Sequence, residues 1–275
     1  MLIPDDLKRL CRAGRLIPFV GAGVSQSVQW KEGGEDRHGI SWKELVDGAA
    51  KILGFDMPDL LRVRGTDLQI LEYFRIRKNA AFLTNWLTSQ MRPPDDALLS
   101  SRIHNALAKL DQCSVFYTTN FDDFLERSFS LFGHKIKVIA GEEDMGPPNK
   151  EKEIIKFHGD FNHPAQMVLS ERDYERRLAF NSPMDLRLRS DMLGRAILFI
   201  GYSFRDSNVA YLFRLVHEQL QSLPATTSGH RAYILVPDPS DFENQLFAAR
   251  KLYVLPIEGN KITEQTADFL SELGG

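Results

Sequence analysis

The chain has 275 residues, 43% of them hydrophobic and 26% charged, and a formal net charge of -3 at neutral pH. That length accommodates one large α/β domain, or one domain with a sizeable insertion, and the composition is that of an ordinary globular protein. The mildly acidic balance gives no general reason to expect direct nucleic-acid binding, no apolar run approaches the roughly 20 residues that cross a bilayer, and two cysteines, Cys11 and Cys113, lack a CxxC spacing and are too few for a four-cysteine zinc ribbon.

The chain opens with Asp5 and Asp6 where a secretory signal carries basic residues. A cytoplasmic protein is therefore expected, with Cys11 and Cys113 as buried free thiols. The first apolar run, 16–20, reads Leu-Ile-Pro-Phe-Val and ends at Gly21-Ala22-Gly23-Val24-Ser25. Continuous apolar runs of this length suit the buried strands of a parallel sheet. The glycines allow a sharp turn and leave room for a phosphate to approach the backbone amides. Ser25 either contacts phosphate or caps a following helix. Gln26 stands where GxGxxG has its third glycine, which argues against a standard hydride-transfer site. The Gly-rich, charged segment 29–39 reads as a mobile loop.

From 41 to 110 the periodicity is helical and no strand is convincing. Ser41 is a plausible N-cap for the helix beginning Trp42-Lys43-Glu44. Segments 67–77, 80–91 and 97–110 read as further helices, with Pro93-Pro94 as a stop. Together they form a helical insertion able to close one side of a nucleotide cleft. The basic stretch 62–78 reads as a solvated helix face.

Strand-like runs resume at 114–118, 136–140, 154–157, 167–169, 196–200, 232–236 and 252–257. Helical patterns lie at 122–129, 207–221, 241–251 and 263–273, and 141–152 reads as a loop. Alternation of strand and helix predicts a Rossmann-like, doubly wound, mostly parallel α/β sheet. The core covers about 1–30 and 111–275, with the insertion at about 41–110.

Several strand ends carry chemistry-bearing residues. Thr118-Thr119-Asn120-Phe121-Asp122 follows the second main run. Asn120 or Asp122 caps the next helix, or Asn120 meets a ribose hydroxyl or a water and Asp122 a carboxamide. His158 ends Ile154-Ile155-Lys156-Phe157 and precedes Gly159-Asp160. An imidazole on that rim can serve as a general base near neutral pH. His158 and His163 have no third partner at a convincing metal-ligand spacing. Gly201-Tyr202-Ser203 forms another strand-end glycine turn, and Val236-Pro237-Asp238 closes a later strand. In an open α/β sheet, ligands bind outside the carboxyl ends of the strands.

Taken together and in order, these motifs resemble the Sir2-like, sirtuin-related domain family, and within it the bacterial branch of antiviral-defence NADases. The stretches Val168-Leu169-Ser170-Glu171-Arg172-Asp173-Tyr174 and Gly201-Tyr202-Ser203-Phe204-Arg205-Asp206 resemble that branch too. The resemblance implies NAD+ as substrate, and no zinc or other metal. It implies Asn120 and His158 as catalytic residues, Asn120 at the nicotinamide ribose or a water and His158 as base. Gly21, Ala22, Gly23 and Ser25 would hold the pyrophosphate. Asp122 would bind the nicotinamide carboxamide, Thr119 would also contact the cofactor, and Gly201 and Ser203 would contact its adenosine side. The four-cysteine zinc module and the Pro-x-Phe-Arg stretch of protein-deacylating sirtuins are missing.

The implied activity is therefore NAD+ glycohydrolysis to nicotinamide and ADP-ribose, as a regulated effector of antiphage defence. The alternatives are an NAD-dependent deacylase or ADP-ribosyltransferase, and a non-catalytic NAD or ADP-ribose binding subunit. Unchecked NAD+ loss would kill the host. A homo-oligomer or an activating partner protein, an ATPase or a nucleic-acid-guided subunit, is expected to gate it.

Overall fold

The computed structural model describes residues 2–146, 151–164, 166–177, 181–202, 214–218 and 230–275. A seven-stranded parallel sheet runs in the order β5-β6-β4-β1-β7-β8-β9. Its strands are β1 (Leu16–Val20), β4 (Val115–Thr118), β5 (Ile136–Ile139), β6 (Lys152–Lys156), β7 (Ala196–Ile200), β8 (Ala232–Pro237) and β9 (Tyr253–Ile257). The central strands β1, β4 and β7 are buried at every residue, as expected of a sheet covered on both faces. Alternation divides them between two cores. Ile17, Phe19, Tyr117, Ile155, Ile197 and Phe199 enter one, and Leu16, Val20, Phe116, Ile154, Leu198 and Ile200 enter the other.

Helices α1 (Asp5–Arg12), α8 (Arg102–Ala108), α9 (Phe124–Leu131) and α13 (Ile262–Gly274) contribute apolar residues to the second core. Helices α10 (Glu171–Arg177), α11 (Pro183–Gly194) and α12 (Asp241–Ala249) contribute to the first. After β1 the chain passes through the helical insertion and returns as β4 on one side. After β6 it crosses to the other side of β1 as β7. Strand β1 therefore lies at the topological switch point, where an open α/β sheet forms its ligand crevice.

The insertion contains α3 (Trp42–Ile52), α4 (Pro58–Arg62), α5 (Asp67–Arg77), α6 (Ala80–Gln90) and α7 (Asp95–Ser100), and runs on into α8. It has its own apolar centre around Leu45, Ala49, Leu71, Phe74 and Leu87. Capping boxes start α3 at Ser41–Glu44 and α5 at Thr66–Gln69. The expected single helix over 97–110 is broken at Ser101, whose extended ψ of 107° separates α7 from α8. The basic stretch 62–78 is not simply a solvated face. Arg62 is ion-paired to Asp47, Asp59 and Asp67, and Arg75 to Asp173.

Two further expectations are corrected. Segment 29–39 is not an irregular loop but a hairpin, β2 (Gln29–Glu32) with β3 (Glu35–His38), turned by Gly33 and Gly34 at φ of 60° and 87°. Paired positive-φ residues match the twist of a two-residue hairpin, and the dense charge of the segment hid the strand pattern. Trp30 anchors it edge-on to Phe124, with ring centres 6.3 Å apart. Segment 167–169 is extended but joins no ladder. Its alternation is real, since Met167 and Leu169 enter the insertion core and Val168 the sheet core. The amides go elsewhere: Val168 N bonds His158 O at 3.0 Å, and Leu169 N and Ser170 N bond Asp173 Oδ2. The expected helix 207–221 falls largely outside the described residues.

The turns after β1 and β7 are packed backbone on backbone. Gly21 N donates to Ile200 O at 2.8 Å and Gly23 N to Gly201 O at 3.0 Å. Gly201 sits at φ 74°, and a Cβ there would lie 2.7 Å from Val24 N. Gly201→Ala is expected to destabilise the protein by about 1–3 kcal/mol through left-handed strain and the clash. Urea denaturation monitored by circular dichroism checks this, and an unchanged midpoint contradicts it.

Candidate functional site

At the β1 switch point, two strand exits are sewn together by side chains. Thr118 Oγ1 donates to Val20 O at 2.9 Å and accepts from Asn120 N at 3.0 Å. Asn120 Nδ2 then donates twice, to Ser25 Oγ at 2.8 Å and to Gly21 O at 3.1 Å. Ser25 Oγ passes its own proton to Asp122 Oδ2 at 2.8 Å, and Asp122 Oδ1 accepts from Phe124 N at 3.1 Å. Both amide hydrogens of Asn120 are thereby spent. Its remaining hydrogen-bonding atom, Oδ1, is an acceptor. The N-cap position of α9 is Asp123 and not the expected Asn120 or Asp122; Asp122 only takes the first helical amide, and at the same time terminates the chain that orients Asn120.

His158 lies in the turn after β6 and is 3% exposed. Its Nε2 is buried without a hydrogen-bond partner. Burial pushes the imidazole well below its ordinary titration range, and the nearby Arg177 adds to this. Arg177 itself is held by a 2.7 Å bond from Nη1 to Phe157 O, by an ion pair to Asp185, and by stacking over the Phe157 ring at 4.2 Å. The ring of Tyr174 meets His158 edge-on at 5.6 Å. His158 is thus a buried imidazole held in its neutral form, with Nε2 unpartnered at the edge of the pocket. His163 is separate from it. That residue is half-exposed, bonded to Asp160 Oδ1 at 2.7 Å, and titrates higher because of that bond.

Asn120, Asp122, His158, Thr119, Ser25 and Ala22 line one pocket of about 70 Å³, partly open to solvent. Ser41, Trp42 and Leu45 of the insertion form its opposite wall. Burial raises the Asp122 carboxyl, an effect opposed by Lys156 and by the Ser25 bond. A longer groove of about 770 Å³ continues past Ala22, Ser41, Trp42 and Tyr202, which line both spaces. Gly23, Gly201, Val236, Pro237 and Asp238 border that groove.

Most of the expected site residues come together, though some do unexpected work. The Gly21 and Gly23 amides are committed to the β7 turn, so these glycines serve close backbone approach. Ser25 is spent on Asn120 and Asp122 and leaves Ala22 as the rim residue of that turn. Thr119 Oγ1 lies 3.0 Å from Tyr202 OH, which donates to Val20 O at 3.0 Å. Tyr202 had no assigned role, though it sits inside the Gly-Tyr-Ser motif. Ser203 lies outside the described residues. Lys156 reads in the sequence as an ordinary strand residue; the one signal that sets it apart is a lysine within the apolar Ile-Ile-Lys-Phe. Among the described residues, no group of three His, Cys, Asp or Glu could hold a metal ion, and no helix is long and apolar enough to cross a membrane.

The parallel sheet, the switch-point crevice and the polar chain across it define an open, doubly wound α/β domain with its crevice at the exit of β1. The SIR2-like domain model matches residues 114–255, and the chain belongs to that family. A protein named NAD(+) hydrolase ThsA, from Cytobacillus dafuensis, is 28% identical over 77% of this chain and 40% of its own length. Defense-associated sirtuin 2 of Bacillus subtilis is 26% identical over 87% of this chain and 22% of its own length. The chain thus spans less than half the length of these curated relatives. A solved chain from work on the mechanism and regulation of Sir2 enzymes aligns over 99% of this chain and 98% of its own, at 13% identity and a TM-score of 0.46, a loose likeness.

The buried histidines make stability acid-sensitive. His158 and His104, the latter pushed down to about 4 by burial, are neutral in the folded state and protonate more readily when unfolded. Below the unfolded pKa of about 6.5 the unfolded chain binds more protons, so stability falls with falling pH by up to about 1.4 kcal/mol per unit per histidine. His158→Phe is expected to flatten the decline between pH 7 and pH 5. Urea midpoints across that range measure it, and parallel curves for variant and wild type contradict it.

Proposed function

We propose that this domain binds NAD+ across the pocket and groove and hydrolyses it to nicotinamide and ADP-ribose. The observation that carries the reading is the meeting of Asn120, Asp122 and an unpartnered, neutral His158 in one pocket beside a nucleotide-sized groove. The names of the NAD(+) hydrolase relatives support the same substrate. In this reading the nicotinamide end enters the pocket near Thr119 and Asp122. The pyrophosphate passes Ala22 at the β1 turn, and the adenosine side lies toward Gly201 and Asp238.

Nicotinamide leaves as a neutral ring from a cationic linkage, so its departure needs no acid. Positive charge then builds on the ribose, and a polar, preorganised pocket stabilises it. Asn120 Oδ1 accepts a hydrogen bond from a ribose hydroxyl or from the attacking water. His158 Nε2 takes the proton released as that water adds to the sugar carbon. A neutral imidazole is the form that can do so.

Continuous NAD+ destruction harms a cell, so this activity requires control. We infer a homo-oligomer or an activating partner protein acting in the cytoplasm, and a role in antiphage defence. The name of the Bacillus subtilis relative supports that role, and the inference rests on family analogy.

Asn120→Ala and His158→Ala are each expected to lower NAD+ turnover by about 10²–10⁴-fold while the fold survives. Chromatography of nicotinamide released by each variant, with circular dichroism as the folding control, measures this. Turnover retained in both folded variants sinks the assignment.

A further inference from the structure

Lysine is rarely buried, because taking an ammonium out of water is costly unless it is paired. Lys156 is 1% exposed at the end of β6. It pairs in register with Thr118, the residue from which the Asn120 turn departs. Its Nζ donates to the main-chain carbonyl of Asp122 and forms a 2.8 Å ion pair with Glu126 Oε1 on α9. One cation therefore grips both the turn that carries Asn120 and Asp122 and the helix that follows it. The other charges near Asp122 oppose its ionisation: Asp123 lies on the same turn and Glu126 one helical turn away, while the facing Ser25 of the β1 exit is neutral.

We propose that Lys156 is a positioning residue of the site, holding the 119–123 turn so that Asn120 and Asp122 face the pocket. The assignment of work to those two side chains rests on the function proposed above. Lys156 does not line the pocket. Its influence runs through the Asp122 carbonyl and through its field on the Asp122 carboxylate.

Lys156→Met alone strips Glu126 of its buried counter-charge, and such a variant can fail to fold. The informative variant is the double replacement Lys156→Met/Glu126→Leu. Exchanging a buried ion pair for apolar residues of similar volume is often neutral for stability. The folded double variant is expected to lose about a hundredfold in kcat/KM for NAD+, the scale set by small misplacements in an active site. The acid limb of its pH profile should move to higher pH, because loss of Lys156, the chief charge favouring ionised Asp122, outweighs the removal of the opposing Glu126. A crystal structure should show the turn displaced and the 2.8 Å contact between Asn120 Nδ2 and Ser25 Oγ broken.

A folded double variant with that contact intact overturns the proposal, whatever its turnover. So does a displaced turn with wild-type kcat/KM and pH profile. If the wild-type protein itself neither binds NAD+ in calorimetry nor consumes it, the functional reading fails separately. The crystallographic comparison then decides the role of Lys156 alone.

Discussion

The site depends on one hydrogen-bond chain, from Gly21 and Asn120 through Ser25 to Asp122. It joins the exits of β1 and β4 at the point where the sheet changes winding direction. Each member is both structural and functional. Ser25 cannot be removed without leaving one oxygen of the buried Asp122 carboxylate and one amide hydrogen of Asn120 unpaired, and such orphaned groups cost about 1–3 kcal/mol each. Because both amide hydrogens of Asn120 are committed, the side chain cannot flip, and it presents an acceptor to the pocket. The chemistry available to Asn120 is thereby limited by the fold itself.

The surroundings explain how the chain stays in place. Below it, the turns after β1 and β7 meet so closely that Gly21, Gly23 and Gly201 admit no Cβ without displacement of a neighbour. Beside it, Tyr202 bridges Val20 O and Thr119 across the same seam. On the far side, the helical insertion supplies Ser41, Trp42 and Leu45 as a wall. His158 reaches the pocket from another strand exit, kept dry by Tyr174 and braced through Phe157 by Arg177. A dry, cation-flanked imidazole stays neutral, which suits a base at neutral pH and disfavours the fold in acid. The same burial serves the proposed chemistry and limits stability.

Much of this was legible in the sequence, for reasons tied to particular residues. Apolar runs such as 16–20 and 196–200 are buried on both faces, so their pattern announces parallel strands. Gly21-Ala22-Gly23, Asn120 and His158 stood at strand ends, and the topology brings them together. What escaped depended on partners distant in sequence. The apolar run at 167–169 was visible, but whether a ladder partner stood beside it was not. The hairpin at 29–38 was masked by charged residues on its open faces. The true work of Ser25 and of the glycines was hidden because it lies in contacts with Asp122, Asn120 and the β7 turn, up to about 180 residues away. Lys156 was visible as an anomaly, though its reach to Asp122 and Glu126 was not.

The central claim is that this pocket adds water across the glycosidic bond of NAD+. It is tested most directly by incubating the wild-type protein, over a range of concentrations, with NAD+ in water enriched in heavy oxygen, and weighing the products by mass spectrometry. The account predicts unlabelled nicotinamide and ADP-ribose carrying one oxygen from solvent. NAD+ recovered whole at every protein concentration, or ADP-ribose found joined to another acceptor in place of water, would contradict it.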